Sequence, residues 1–316
     1  MAMNLFYLAL GVILLTGGGE ILIRGAVTAA RRLGVSPLLS GLLIVGFGTS
    51  APELVVSVDA AMHGQPDIAL GNVIGSNISN VLLILGLCAV ITPLAVQPLA
   101  LRRDGLCVVA ASLLFVALAW GGALQRSDAI LLLGALIAYL VWAYRTERSE
   151  LTPSAAMHAA EAEEPGTVPG STPVTILCIL GGLALLISGS RVLLTGATGL
   201  ATSMGISEAV IGLTVVAVGT SLPELSISVI AALRRHADVA VGNILGSNLF
   251  NLLGILGVSA TLQPLPLPAR ILQFDQWILL GSALLLLLFL FTGRRVSRLE
   301  GAILVSLYAL YLIIGL

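Results

Sequence analysis

GFGTSAPEL at residues 46–54 and AVGTSLPEL at residues 217–225 are two copies of one motif, each set inside a long apolar stretch. The likeness extends well beyond nine residues. Residues 34–87 align without a gap onto 205–258, at an offset of 171, with about half of the paired positions identical. A second matched pair, GNVIGSNISN at 71–80 and GNILGSNLFN at 242–251, lies inside the same alignment. The chain therefore reads as a duplication, and the fold follows from how many apolar segments each copy contains.

Of the 316 residues, 58% are apolar and only 10% are charged. Soluble domains carry about a quarter charged residues, so the composition belongs to the membrane class. Hydropathy and breaker residues predict ten membrane segments, at 4–30, 36–62, 68–94, 104–121, 128–145, 173–201, 207–233, 239–262, 274–292 and 299–316. The N-terminal stretch MAMNLFYLALGVILL lacks a positive leader region and reads as the first of these rather than as a cleaved signal. Five segments per copy is an odd number, so the second copy enters the membrane from the opposite side. The expected fold is all-α and integral to the membrane, ten helices in two inverted five-helix repeats, an architecture that places a binding site near the midplane. The first repeat is expected over 1–146 and the second over 173–316. Between them, residues 147–172 form a linker rich in Pro, Gly, Ser and Glu.

Charge sets the orientation. All fifteen basic residues are Arg, and the net charge is −1. With the N-terminus outside, the inner loops receive Arg31, Arg32, Arg102, Arg103, Arg145, Arg148, Arg234, Arg235, Arg294, Arg295 and Arg298, while the outer loops receive Arg126 and Arg270. That bias predicts both termini outside and the linker in the cytoplasm. Cys88, Cys107 and Cys178 stand singly, so neither a disulfide framework nor a zinc site is expected.

Glu53 and Glu224 lie about 17 residues into their segments. A carboxylate at that depth costs at least about 2.5 kcal/mol. A protonated structural carboxyl is one explanation for a single Glu; two, at matched positions of one polar motif, point to a bound cation. On a helix, Thr49 and Ser50 share the face of Glu53, and Thr220 and Ser221 that of Glu224. Pro52 and Pro223 disrupt the preceding turns and free carbonyls around Gly48 and Gly219, although prolines in membrane helices also serve as plain kinks. Ser76 and Asn80, with Ser247 and Asn251, add hydroxyls and amides. Asn72, Asn77, Asn243 and Asn248 read equally well as interhelical glue. The set is all oxygen, which suits a hard cation. Two glutamates neutralise one divalent ion, and a flexible cage suits calcium over magnesium, though it also suits several sodium ions.

At GTSxPE and GNxxGSNxxN, each present twice, the chain resembles the cation/calcium exchanger superfamily, specifically its prokaryotic sodium/calcium exchangers. The resemblance covers nearly everything outside the linker. It implies a core of the second, third, seventh and eighth helices, with the first and sixth sliding across it to alternate access. By motif position, calcium would be held by Thr49, Glu53, Thr220 and Glu224. Sodium would be held by Ser50, Ser76 and the Gly46 carbonyl on one side, and by Ser221, Ser247 and the Ala217 carbonyl on the other, with Asn80 and Asn251 completing the centre. Some members carry Asp where this chain has Asn251, which argues against potassium coupling. The implied activity is exchange of Ca2+ for Na+ in a prokaryotic inner membrane by a monomer able to function. No cofactor and no nucleic acid is expected; the partners are the two ions and the lipid bilayer.

Proton/calcium exchange on the same fold is the alternative. An enzyme is not expected, because His63, His158 and His236 fall at segment ends or in the linker and no catalytic motif accompanies Ser50 or Ser221. A passive channel is a third class. Glu20 and Arg191 occupy matched positions and are expected to pair with each other or to line the access route. Asp59, matched by Ile230, reads as a vestibule cation attractor or a plain surface charge, and Glu161, Glu163 and Glu164 as a solvated stretch, with binding of regulatory calcium as the alternative.

Overall fold

Proline and glycine decide where the helices start and stop. The computed structural model describes residues 2–33, 39, 41–95, 100–149, 171–204, 221–293 and 295–315. Helix α1 is Ala2–Leu33. A wide π-helical stretch, Gly41–Gly46, and one turn, Phe47–Thr49, lead into α2, Ala51–Met62. Helix α3, Pro66–Ser79, continues through a π turn, Asn80–Leu85, into Gly86–Ile91. Helix α4 is Leu106–Ala119, entered through Ala100–Gly105, and α5 is Arg126–Ser149. In the second half α6 is Thr172–Ser203 and α7 is Leu222–Leu233. Helix α8, Ala237–Leu249, passes through Phe250–Ile255 into Leu256–Leu262. Helix α9 is Gln276–Gly293, entered through Ile271–Asp275, and α10 is Arg298–Gly315.

The protein is helical and membrane-spanning, as the composition requires. Among the described residues, six helices are long and apolar enough to cross a bilayer, or seven when the bent pair Gly41–Thr49 and Ala51–Met62 is taken as one span. The ten expected spans exceed that number: Leu106–Ala119 is a 14-residue helix reached through an irregular turn, Arg298–Gly315 is not among the six, and residues 205–220, which precede the 12-residue Leu222–Leu233, lie outside the described part. Most of the linker, residues 150–170, also lies outside it.

Burial separates a centre from a rim. The apolar window of Pro66–Ile91 is 72% buried and that of Ala237–Leu262 is 94% buried, whereas those of α1, α5 and α6 are 22–33% buried. Helices α3 and α8 are thus surrounded mainly by protein, and α1, α5 and α6 leave most of their surface uncovered by it.

Helices α1 and α6 form an antiparallel pair held at backbone distance by glycine. A Cβ added to Gly18 would meet the Leu186 nitrogen at 2.9 Å, one on Gly182 the Leu22 nitrogen at 2.7 Å, and one on Gly189 the Leu15 nitrogen at 2.9 Å. Gly11 abuts Leu193 and Gly196 abuts Leu8 in the same manner. The glycines recur every seven residues in both helices, so one stripe of each faces the other. The contacts are reciprocal under the offset of 171, because Gly11 on Leu193 matches Gly182 on Leu22. This register sets Glu20 level with Ala184 and Arg191 level with Ile13, about 10 Å apart along the axis. Glu20 accordingly pairs with Arg24 at 2.8 Å and with Arg234, beyond the end of α7, at 3.0 Å, and not with Arg191 as one expectation had it.

Two short strand pairs stitch the halves, a detail an all-helical reading omits. Leu94–Ala95 (β1) pairs antiparallel with Arg295–Val296 (β4), and Ala123–Leu124 (β2) with Leu265–Pro266 (β3). Each half also buries an acid–tyrosine contact at the entry to its fourth helix. Tyr139 donates to Asp104 at 2.8 Å, with the buried Arg103 guanidinium donating to the same carboxylate at 3.0 Å. Tyr311 donates to Asp275 at 3.1 Å, joined by Arg270 at 3.2 Å.

The turns that end α2 and α7 share one backbone shape. Gly64 has φ +69° and Arg235, its counterpart, φ +61°. Both halves need a left-handed residue there, but only the first supplies glycine. Replacing Arg235 by Gly is expected to raise stability by about 0.5–1 kcal/mol, read as a higher midpoint of thermal unfolding in detergent. Gly64→Ala is expected to lower it.

Candidate functional site

Both glutamates stand at helix starts. Ser50, with φ −78° and ψ 7°, interrupts the second segment, Pro52 occupies the opening turn of α2, and Glu53 falls in that same turn. The two parts meet at a bend of 47°. Ser221, with φ −84° and ψ 7°, precedes Pro223 and Glu224 at the start of α7. A carboxylate in a first helical turn faces unpaired N–H groups and the positive end of the helix dipole, which lowers the cost of its burial.

This break corrects one detail of the sequence reading. Thr49 and Ser50 do not share an unbroken helical face with Glu53, and the hydroxyls reach across to the other half. Ser50 Oγ donates to Glu224 Oε1 at 3.0 Å, and Ser221 Oγ lies 3.4 Å from Glu53 Oε1. Glu53 is 0% exposed and Glu224 1%. Two acids far apart in sequence are therefore brought into one buried cluster by each other's serines.

The other side chains converge on the same place. Ser221 Oγ also lies 3.3 Å from Ser76 Oγ. Ser247 Oγ donates to the Gly46 carbonyl at 3.0 Å, and Thr49 Oγ1 lies 3.3 Å from the same oxygen. Gly46 and Ser247 thus sit together, as do Ser76 and Ser221, so each group mixes the two halves in a way the motif-by-motif assignment did not. Asn80 Nδ2 donates to Asn248 Oδ1 at 3.1 Å. Thr220 and Ala217 lie outside the described residues.

Several buried polar atoms of the predicted site residues have no hydrogen-bond partner among the described residues: Glu224 Oε2, Asn80 Oδ1, and both Oδ1 and Nδ2 of Asn251. Buried polar atoms are nearly always satisfied, so oxygens left over in this way leave lone pairs for a ligand. Among the described residues no group of three or more His, Cys, Asp or Glu could hold a metal. The donors are hydroxyls, amides, carbonyls and two carboxylates, a hard-cation set. Asn80 and Asn251 each sit in a π turn, a local widening common at functional sites.

The sodium/calcium exchanger protein family model matches residues 3–145 and 174–316, both halves of the chain. The chain belongs to that family. Over 308 residues it is 37% identical to the putative antiporter CaxA of Alkalimonas amylolytica, covering 96% of each chain. It is 30% identical to the sodium/calcium exchanger MaX1 of Methanosarcina acetivorans, covering 98% of each. Its fold superposes on a solved structure of the sodium-calcium exchanger NCX_Mj with a TM-score of 0.83, at 30% identity, over 99% of this chain and 98% of that one.

Within this exchanger-family chain, Asn72 and Asn243 bridge neighbouring helices, as the interhelical reading of these amides had it, while sequence reasoning overlooked their partners Ser57 and Ser228. Asn72 Nδ2 donates to the Glu53 carbonyl at 3.2 Å and to Ser57 Oγ at 2.9 Å. Asn243 Nδ2 donates to the Glu224 carbonyl at 3.3 Å and to Ser228 Oγ at 2.7 Å. The signal was available, since both pairs recur at the offset of 171. The partner of each was not, because periodicity does not say which neighbouring helix an amide meets.

The approach of α8 to Gly41–Gly46 depends on glycine. A Cβ on Gly246 would fall onto the Leu42 carbonyl oxygen, and one on Gly46 would lie 2.9 Å from the Asn243 carbonyl. Gly246→Ala is expected to destabilise the protein by about 1–3 kcal/mol and to loosen the Ser247–Gly46 contact. Gly281→Ala is the control, since its Cβ meets nothing within 4 Å among the described residues. Thermal unfolding in detergent reads both, and the control is expected to match the parent protein or slightly exceed it, since alanine favours a helix interior over glycine.

Proposed function

We propose that this chain is a sodium/calcium antiporter, exchanging Ca2+ for Na+ by alternating access at an oxygen-lined site near the membrane midplane. The observation that carries the reading is the exchange of serine hydroxyls between Glu53 and Glu224, both fully buried. Two carboxylates share one cluster, and a divalent cation is the ligand that neutralises both. Family membership and the names of the relatives MaX1 and NCX_Mj support the choice of ions.

In this reading Thr49, Glu53, Thr220 and Glu224 bind calcium. Ser50, Ser76, Ser221, Ser247 and the carbonyls of Gly46 and Ala217 serve sodium, with Asn80 and Asn251 at the centre. Sodium and calcium draw on the same limited negative charge, so each excludes the other, which gives exchange in place of cotransport. The chain comprises ten spans in two inverted repeats, residues 1–146 and 173–316, joined by a cytoplasmic linker over 147–172. Reciprocal contacts between α1 and α6 and the matched turns at Gly64 and Arg235 support that symmetry. The protein resides in a prokaryotic inner membrane with both termini outside, an orientation supported by the arginine bias. A monomer is able to function, without a cofactor. Helices α1 and α6 move as one body across the core, a motion supported by their glycine-lined interface.

Glu53→Gln and Glu224→Gln are each expected to abolish calcium binding measured by titration calorimetry, since each removes half of the charge opposing the ion. Full affinity in both variants refutes the site. In proteoliposomes, calcium uptake is expected to follow an imposed sodium gradient and not a pH gradient. Uptake indifferent to sodium and driven by protons replaces this reading with proton/calcium exchange.

A further inference from the structure

Asn243 is completely buried, and both its amide nitrogen and its amide oxygen have hydrogen-bond partners. Its Nδ2 lies 3.3 Å from the Glu224 main-chain carbonyl and 2.7 Å from Ser228 Oγ, and its Oδ1 lies 3.1 Å from Thr49 Oγ1. A carbonyl only accepts, so the amide must turn its NH2 toward Glu224; the flipped amide would set two oxygens against each other. Oδ1 is then left facing Thr49. Because an amide oxygen also only accepts, the proton of that bond must come from the threonine hydroxyl.

Thr49 has two other acceptors in reach: the Gly46 carbonyl at 3.3 Å, which already receives Ser247 Oγ at 3.0 Å and the Ser50 N–H at 3.3 Å, and the Glu224 carboxylate, which already receives Ser50 Oγ at 3.0 Å. Asn243 therefore offers the less crowded destination for the proton. Held there, Thr49 Oγ1 presents only lone pairs to the rest of the cluster.

We propose that Asn243 is a positioning residue for cation binding: it fixes the Thr49 hydroxyl proton outward so that this oxygen meets the ion as an acceptor, and ties Thr49 to the turn carrying Glu224. The proposal rests on the reading of Thr49 as a calcium ligand. A hydroxyl free to rotate would have to be reoriented on binding, and fixing it beforehand removes that cost. A neutral amide does so without adding a third carboxylate to the cluster. Asn72 makes the same two donor bonds to Glu53 and Ser57 in the first half, which is the arrangement a duplicated device would leave. Thr220, the counterpart of Thr49, lies outside the described residues.

The test is calcium titration of the purified full-length protein, with Asn243→Ala introduced alone, with Thr49→Ser and with Thr49→Val. Asn243→Ala is expected to weaken calcium binding about tenfold in the parent and in Thr49→Ser, which keeps the hydroxyl. In Thr49→Val, where there is no proton left to orient, it is expected to add nothing. A merely structural asparagine would give the same loss on all three backgrounds, and that result overturns the proposal. Parent affinity in Asn243→Ala, beside a clear loss in Thr49→Val, overturns it alone. Undiminished affinity in Thr49→Val removes Thr49 as a ligand and the proposal with it. Thermal unfolding verifies that each variant is folded, and Asn243→Leu, similar in size, replaces the alanine variant if that one does not fold.

Discussion

Two carboxylates cannot sit side by side in a low-dielectric interior without something to offset desolvation and mutual repulsion. Much of this structure answers that constraint. Glu53 and Glu224 each fall in the first turn of a helix, where helix-start N–H groups and dipoles favour negative charge. The chain also lends each acid a hydroxyl from the opposite half. Both helix starts carry proline, the close passage of α8 past Leu42 needs glycine, and the surrounding asparagines hold the carbonyls of the two acidic residues. Oxygens on Glu224, Asn80 and Asn251 are left without a hydrogen-bond partner among the described residues.

The same device made twice explains why so much was legible in the sequence. Glu53 and Glu224 were visible because a carboxylate at membrane depth is costly wherever it occurs, and repetition at an offset of 171 makes accident an inadequate explanation. The apolar runs gave the helical, membrane-spanning class for the same reason: a bilayer admits few alternatives. The serines, Thr49 and the asparagines were found by their spacing from the glutamates.

What escaped the sequence were relations across the fold. Treating Thr49 and Ser50 as neighbours of Glu53 on a continuous helix was natural from the spacing, yet the turn at Ser50 sends its hydroxyl to Glu224. The expected pairing of Glu20 with Arg191 failed because matched positions in an antiparallel pair are not opposite positions, and glycine sets the register. The Asp104–Tyr139 and Asp275–Tyr311 contacts went unnoticed, although the two aspartates are also matched. In each case the residue was in view and its partner was not, since partners depend on packing between elements remote in sequence.

The paired strands at the helix ends carry a consequence for how the two halves are joined. β1 of the first half is bonded to β4 of the second, and β2 of the first to β3 of the second. Helices α1 and α6 add an interlocking seam, and the acidic cluster adds shared hydroxyls. The joint between the halves is thus spread over strands, helices and side chains, and the polypeptide between α5 and α6 is one of several ties between them.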